Sequence, residues 1–144
     1  MENTVIDKVL RKNCAIYRGI YSCDLLPDTV VRPSVIVANT NPASRPGQHW
    51  ICMFFDEDGH GEFFDSFGLL PKHVFQRYMD KHCIVWTFSK KQIQSLVSRF
   101  CGHYYIWYCI MNFRTATLNE LISSMSGETG LNDFLVHRFA CKLI

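Results

Sequence analysis

The sequence predicts one α+β domain, in which a sheet of at least four strands is combined with helices before, between and after the strands. Short β-branched and aromatic runs alternate with segments of helical spacing, and turn residues separate them. The sequence contains 144 residues, and 48% of them are hydrophobic. A chain of this size and composition can bury one core, so we expect a single domain over residues 1–144.

Five segments have helical character. Hydrophobic residues at helical spacing predict the first, with Asn3 or Thr4 as its cap. Pro71 opens the second, since proline is tolerated in the first turn of a helix. The third is apolar nearly all round, as a central buried helix would be. Thr117 and Glu120 form a capping box at the start of the fourth. The predicted helices cover residues 5–12, 71–80, 102–113, 117–124 and 131–143.

Four segments have strand character. The run from Ser34 to Ala38 is short, apolar and β-branched, which is typical of a buried strand. Two further segments flank Asp56-Glu-Asp-Gly59, a turn sequence that favours a hairpin. The predicted strands cover residues 34–38, 49–55, 61–67 and 84–88, and we expect irregular structure at 19–27 and a loop at 39–48.

The composition argues against several classes of protein. A net charge of +2 is no argument for nucleic-acid binding by itself. Seven cysteines without a CxxC pair argue against a zinc ribbon and a closed disulfide framework, and we expect no metal or small-molecule cofactor. We see no signal peptide, and the longest apolar run, 104–111, is too short to span a bilayer. We therefore expect a reducing intracellular compartment, free thiols and no membrane contact.

Cys101 stands where a polar stretch gives way to the predicted central helix. The dipole and free N–H groups of a helix start favour a thiolate, which is the nucleophilic form of cysteine. Gly102 would leave room for a substrate backbone beside the sulfur. Taken alone, a cysteine at such a position is more often a small core residue. The other six cysteines lie mainly within apolar patterns, where a core role is expected.

His49 and Asp65 lie on two predicted strands of one hairpin. His49 opens the first strand after a glycine-containing loop, and Asp65 lies near the end of the partner strand. Antiparallel pairing can bring this carboxylate to the imidazole, where it would set the tautomer and stabilise imidazolium. For the remaining histidines we expect surface or packing roles; they are His60, His73, His82, His103 and His137.

A glutamine side chain can stabilise the oxyanion that forms when a thiolate attacks a carbonyl. Gln94 stands seven residues before Cys101 and could donate a hydrogen bond to that oxyanion, together with the Cys101 backbone N–H. Gln92 is a competitor two residues earlier. Either glutamine could instead be an exposed polar residue.

These motifs together resemble the adenovirus protease, adenain, and more distantly the SUMO and ubiquitin-like proteases of the same clan. The order His, acid, Gln, Cys is the order of that clan, and the similarity runs from about Val9 to the C-terminal helix. The spacing from Gln94 to Cys101 matches adenain. Two departures are an Asp where adenovirus enzymes commonly have Glu, and a shorter chain. The matching motifs are His49-Trp50, Phe64-Asp-Ser-Phe-Gly68, Gln94 and Cys101-Gly102-His-Tyr.

The resemblance implies a papain-like cysteine protease of adenain type, with a mixed central sheet, flanking helices and the nucleophile at the start of the central helix. Cys101, His49 and Asp65 would be catalytic, and Gln94 and Cys101 would form the oxyanion hole. The implied substrates are capsid and core precursor proteins, cut near small residues by a monomeric enzyme in the virion and host nucleus. The source would be an adenovirus relative or a virus-like transposon.

The resemblance also implies a form of activation. Cys83 stands at the spacing at which adenain has a cysteine that forms a disulfide with an activating peptide from a capsid precursor. Cys83 lies at a loop-to-strand position, where a peptide could add a strand along 84–88. A half-buried thiol without such a role is the competing interpretation. Family members are also stimulated by DNA, for which the charge of +2 is thin support.

Two other functions stay open. The same chemistry could act on host conjugates, as in a deubiquitinase or SUMO protease, although the chain is short for gripping a whole ubiquitin fold. The domain could also be catalytically silent and only bind proteins. The presence of His49, Asp65, Gln94 and Cys101 together argues against a silent domain.

Overall fold

The computed structural model describes residues 1–46 and 49–144. The end of the predicted loop at 39–48 thus lies outside the described residues. Within them, five helices and five strands follow one another along the chain: α1 (Asn3–Asn13), β1 (Tyr17–Ser22), β2 (Ser34–Asn39), β3 (Trp50–Phe55), β4 (His60–Phe64), α2 (His73–His82), β5 (Val85–Phe88), α3 (Cys101–Phe113), α4 (Leu118–Ser124) and α5 (Thr129–Cys141).

The strands form one mixed sheet whose spatial order follows the sequence, β1-β2-β3-β4-β5. The two central pairs, β2 with β3 and β3 with β4, are antiparallel. Both outer pairs, β1 with β2 and β4 with β5, are parallel. The predicted α+β class and mixed sheet with flanking helices are therefore confirmed. β1 and β5 are the two edges of this sheet.

The sheet is covered on both faces. Val35 and Val37 of β2 belong to a core cluster with α1, α3, α4 and α5, while Ile36 and Ala38 belong to a second cluster with α2. Successive side chains of a strand point to opposite faces. This double burial explains why β2 is a continuous apolar run rather than an alternating one.

β1 corrects the prediction of irregular structure at 19–27, because Tyr17–Ser22 is a strand. Gly19 has a φ of +123°, and the pairing with β2 shifts register between Tyr17 and Ile20. A bulge of this kind interrupts the alternation of buried and exposed residues. The strand pattern is therefore weak in the sequence, and parallel pairing with β2 stabilises the strand.

The helix boundaries differ from the predictions at several ends. Asn3 and Thr4 lie inside α1, whose cap is Glu2 without a side-chain cap bond. Pro71 precedes α2, which begins at His73. The capping box of Thr117 and Glu120 is present as predicted, with both reciprocal hydrogen bonds. Among the described residues, every helix falls short of the length and hydropathy that a bilayer-spanning segment needs.

Candidate active site

Cys101 is the first residue of α3, so the sulfur lies at the helix N-terminus that the sequence predicts. α3 is buried along almost its entire length, and Cys101 itself keeps 8% exposure. The amides of the first helical turn lack carbonyl partners within the helix. They and the helix dipole favour negative charge at this position.

Gly102 has a different role from the one expected. A Cβ at this position would approach Ile6 Cδ1 of α1 to 2.9 Å and Met1 Cβ to 3.1 Å. The missing side chain therefore allows α1 to pack closely against the start of α3. The expectation that Gly102 leaves room for a substrate backbone is corrected, because α1 occupies the space in that direction.

His49 lies immediately before β3, with its ring between the sulfur and a carboxylate. Nδ1 of His49 lies 3.4 Å from Cys101 Sγ, and Nε2 donates a hydrogen bond to Asp65 Oδ1 at 2.8 Å. Phe67 stacks on the imidazole with ring centroids 4.6 Å apart. The carbonyl of His49 accepts a hydrogen bond from the Thr40 N–H at 2.9 Å. These contacts fix both the position and the plane of the ring.

Asp65 directly follows β4 and is almost completely buried. β3 and β4 pair antiparallel with Cys52 opposite Phe64, so the start of β3 and the end of β4 meet at the same end of the hairpin. Asp65 Oδ1 also accepts a hydrogen bond from the Phe67 N–H at 2.8 Å. A buried carboxylate needs such partners, and Asp65 has both an imidazole and a backbone amide.

Gln94 is fully buried, and its side-chain amide faces the sulfur. Nε2 of Gln94 donates a hydrogen bond to Cys101 Sγ at 3.2 Å, and Oε1 accepts one from the Ser66 hydroxyl at 2.6 Å. Ser66 thereby determines which end of the amide points to Cys101. Gln92 is exposed and donates to the Gln94 carbonyl instead, at 3.0 Å.

The charge state of His49 follows from its two partners. Burial opposes the imidazolium, but hydrogen bonds and charge interactions with Asp65 and Cys101 outweigh it and raise the pKa of His49 from 6.5 to about 9. The ring therefore holds a proton at neutral pH. A cationic imidazole 3.4 Å from the sulfur favours a thiolate on Cys101.

Sequence reasoning missed Ser66 and Phe67 as parts of this site. Both follow Asp65 directly, in a segment where the sequence predicts a continuing strand. β4 instead ends at Phe64, and the Gly68 N–H donates to the Asp65 carbonyl at 2.9 Å. This turn directs Ser66 inward to Gln94 and Phe67 onto His49. No residue pattern distinguishes this inward serine from an exposed turn residue.

An apolar cavity of about 240 Å³ opens beside His49 and Asp65. Leu69 and Leu70 at its rim are more than half exposed. Apolar walls with a few polar groups are typical of a ligand-binding cleft. The apolar residues that line it are Ile51, Phe63, Phe67, Leu69, Leu70, Pro71 and Phe75.

Cys83 caps the C-terminal end of α2 and is half-buried. Burial raises the pKa of its thiol. The sulfur packs against Gly61, where an added Cβ would lie 2.5 Å from Sγ. The thiol lies next to β5, the edge strand.

The comparisons with known proteins point to one viral enzyme. The chain is 27% identical over 115 residues to the "Cysteine protease S273R" of African swine fever virus, a match that covers 72% of this chain and 42% of that protein. Its fold matches the crystal structure of the African swine fever virus pS273R protease with a TM-score of 0.67 at 19% identity, covering 94% of this chain and 66% of the other. The selenomethionine form of the same protease matches with a TM-score of 0.62.

This chain has the fold of that viral cysteine protease and is similar to it in sequence. The chain spans less than half the length of the curated relative, at 42%. No protein-family model matches the sequence.

Proposed function

We propose that this chain is a cysteine endopeptidase of adenain type that cleaves viral capsid and core precursor proteins, in the virion and host nucleus. Cys101 is the nucleophile, His49 the base and Asp65 the residue that orients His49. The observation that carries the proposal is the continuous row of contacts: Cys101 Sγ to His49 Nδ1 at 3.4 Å and His49 Nε2 to Asp65 Oδ1 at 2.8 Å.

The reaction proceeds in two halves. His49 and Cys101 rest as an imidazolium–thiolate pair, and the thiolate attacks the carbonyl carbon of the scissile peptide bond. The oxyanion accepts hydrogen bonds from Gln94 Nε2 and the Cys101 backbone N–H, and the C–N bond breaks as His49 protonates the leaving amine. His49 then takes a proton from water, whose oxygen attacks the thioester. The C–S bond breaks, the acid product leaves, and the imidazolium–thiolate pair is restored.

The cavity beside His49 supports a preference for apolar side chains on one side of the scissile bond. Seven of the eleven residues that line it are aliphatic or aromatic. A peptide library that varies one position at a time tests this preference. We expect Leu70→Lys to reduce cleavage of peptides with an apolar residue at the preferred position, whereas Leu131→Lys, an exposed change on α5, should leave the preference unchanged.

The decisive experiment is Cys101→Ala with precursor proteins as substrates and mass spectrometry of the fragments. We expect the variant to fold and to lose activity by several orders of magnitude, because the residues of such a site act as a unit. Cys23→Ser, at a half-buried cysteine outside the site, is the matched control and should retain activity. A folded Cys101→Ala variant with more than a few per cent of wild-type turnover would falsify the assignment.

Assays of the wild-type chain distinguish a protease that cleaves precursor proteins from an enzyme that acts on host conjugates. Hydrolysis of C-terminal esters of ubiquitin or SUMO at rates above those for precursor peptides would favour action on host conjugates. Failure to cleave either substrate, together with no labelling of Cys101 by a vinyl sulfone, would favour a binding domain.

Activation by a peptide at Cys83 is a second part of the proposal. β5 pairs with β4 and with no other strand in the part of the chain that is described, so its outer edge can accept an added strand. Ile84 and Val85, at 87% and 52% exposure, would be covered by such a strand. A cysteine of the peptide would form a disulfide with Cys83. Duplex DNA, the other activator that the resemblance implies, is tested by addition to the same assay.

A further inference from the structure

Two histidines and a cysteine meet where the start of α3 contacts the end of α5. His103 lies in the first turn of α3, and His137 and Cys141 lie four residues apart on α5. One ligand atom from each lies within 4.8 Å of the other two, and His137 Nε2 lies 3.4 Å from Cys141 Sγ. Within residues 1–46 and 49–144, this is the one such group of three residues with metal-ligating side chains.

His103 has a ring nitrogen that its surroundings leave unsatisfied. The residue is 9% exposed, and its Nδ1 is buried without a hydrogen-bond partner among the described residues.

The two rings are already held in place. Phe100 packs on both, with centroid distances of 5.0 Å to His103 and 5.0 Å to His137, and the two imidazoles lie 5.1 Å apart. An i, i+4 pair on one helix places His137 and Cys141 on the same face. Little rearrangement would be needed to bring the three ligand atoms together.

We propose that His103, His137 and Cys141 bind a divalent transition metal ion of the zinc class. Imidazole and thiolate are the ligands that zinc prefers, and three protein ligands leave the fourth tetrahedral position to water. Zn–N bonds of about 2.0–2.1 Å and a Zn–S bond of about 2.3 Å place tetrahedral ligand atoms roughly 3.4–3.6 Å apart. The His137–Cys141 distance of 3.4 Å already fits, and the widest separation, 4.8 Å, must close by about an ångström.

The proposed site would link the first turn of α3 to the last turn of α5. Binding releases the Cys141 thiol proton. Because the three ligands meet only in the folded chain, the metal stabilises the folded state by mass action. The site is distinct from Cys101 and His49, although Cys101 stands only two residues before His103.

Cobalt spectroscopy tests the site directly. The full chain carrying Cys101→Ala is used so that the active-site thiol cannot bind the probe. Co²⁺ should give a thiolate-to-cobalt charge-transfer band and intense visible bands of tetrahedral cobalt, both of which Zn²⁺ abolishes. Adding Cys141→Ser should remove the charge-transfer band, and adding His137→Ala should weaken Co²⁺ binding at least tenfold. Adding Cys23→Ser instead should change neither.

Thermal unfolding provides the second readout. Zn²⁺ should raise Tm of the Cys101→Ala chain, and this increase should vanish when Cys141→Ser is added. The proposal is overturned if the Cys101→Ala chain gives no charge-transfer band with Co²⁺. It is overturned equally if the band survives Cys141→Ser, since the sulfur ligand would then be another cysteine.

Discussion

At the residue scale, three neighbouring side chains determine the orientation and the charge of His49. Asp65 holds Nε2, Cys101 lies at Nδ1 and Phe67 covers one face of the ring. Folding raises the pKa of His49 from 6.5 to about 9. The stability that the protonated ring contributes is therefore complete below about pH 6.5 and is lost as the pH rises through about 9.

Asp65→Asn should move the alkaline limb of the pH–rate profile. In the wild type we expect kcat/KM to fall as the pH rises through about 9, where His49 loses the proton that the leaving amine needs. Asn removes the negative charge that favours imidazolium, so the fall should begin at lower pH and the maximal rate should drop. Asp58→Asn, at an exposed turn, is the control. An alkaline limb unchanged by Asp65→Asn would contradict this role.

Gln94→Ala should lower kcat with little change in KM. Loss of one oxyanion donor costs about 2–4 kcal/mol of transition-state stabilisation, roughly 30- to 1,000-fold in rate. Gln92→Ala should be nearly silent, because that side chain is exposed and donates to a backbone carbonyl. Gln94 is also buried, so urea unfolding must show that enough folded enzyme remains at the assay temperature. A larger loss from Gln92→Ala would identify the other amide as the donor.

At the scale of elements, Glu62 joins β4 to two helices. One carboxylate oxygen accepts hydrogen bonds from Tyr108 Oη and Asn112 Nδ2 of α3, each at 2.8 Å, and the other accepts the first amide of α4, Leu118 N–H, at 2.9 Å. Burial raises the pKa of Glu62, while these hydrogen bonds oppose the shift. This carboxylate at the N-terminus of α4 holds the helices against the sheet.

Glu62→Gln should destabilise the protein without touching the chemistry. All three partners donate hydrogen bonds, so a glutamine amide must direct an N–H toward a donor. We expect the free energy of unfolding to fall by about 1–3 kcal/mol, measured by urea denaturation. Glu57→Gln in the exposed hairpin turn should change it by less than about 0.5 kcal/mol. Equal stability of the two variants would mean that the network contributes nothing.

At the scale of the whole molecule, the candidate active site lies where the central hairpin meets the start of α3. His49 and Asp65 come from adjacent ends of β3 and β4, and α3 carries Cys101 against the same end of the hairpin. The outer strands β1 and β5 take no direct part. β5 is the edge at which Cys83 could couple a bound peptide to the sheet.

Cys83→Ser should abolish covalent peptide activation but leave basal turnover unchanged. The assay compares activity and intact mass with and without cysteine-containing peptides from capsid precursors of the same genome. In the wild type we expect a mass increase equal to the peptide, minus two hydrogens, under mildly oxidising conditions, with a faster rate. Cys23→Ser, at another half-buried cysteine, should still be activated. Full activity of the isolated wild type, with no effect of peptide, would remove this idea.

Local patterns were sufficient to predict much of the fold. The hairpin turn, the capping box of Thr117 and the apolar run of α3 depend on neighbouring residues, so their signals survive in the sequence. β1 depends instead on pairing with β2 across a bulge, and the prediction missed it. The prediction that Gly102 faces a substrate backbone was wrong for the same reason. Its close neighbour is Ile6 of α1, which lies far away in the sequence.

The sequence by itself determined the α+β class, the order of most elements and the residues whose chemistry suits a nucleophile, a base and an amide donor. Side-chain chemistry and local periodicity are properties of short segments, which explains this success. Tertiary structure alone decided that Ser66 orients Gln94, that Glu62 joins β4 to two helices, and that His103 meets His137 and Cys141. These contacts join distant segments, and packing of the helices on the sheet sets their distances.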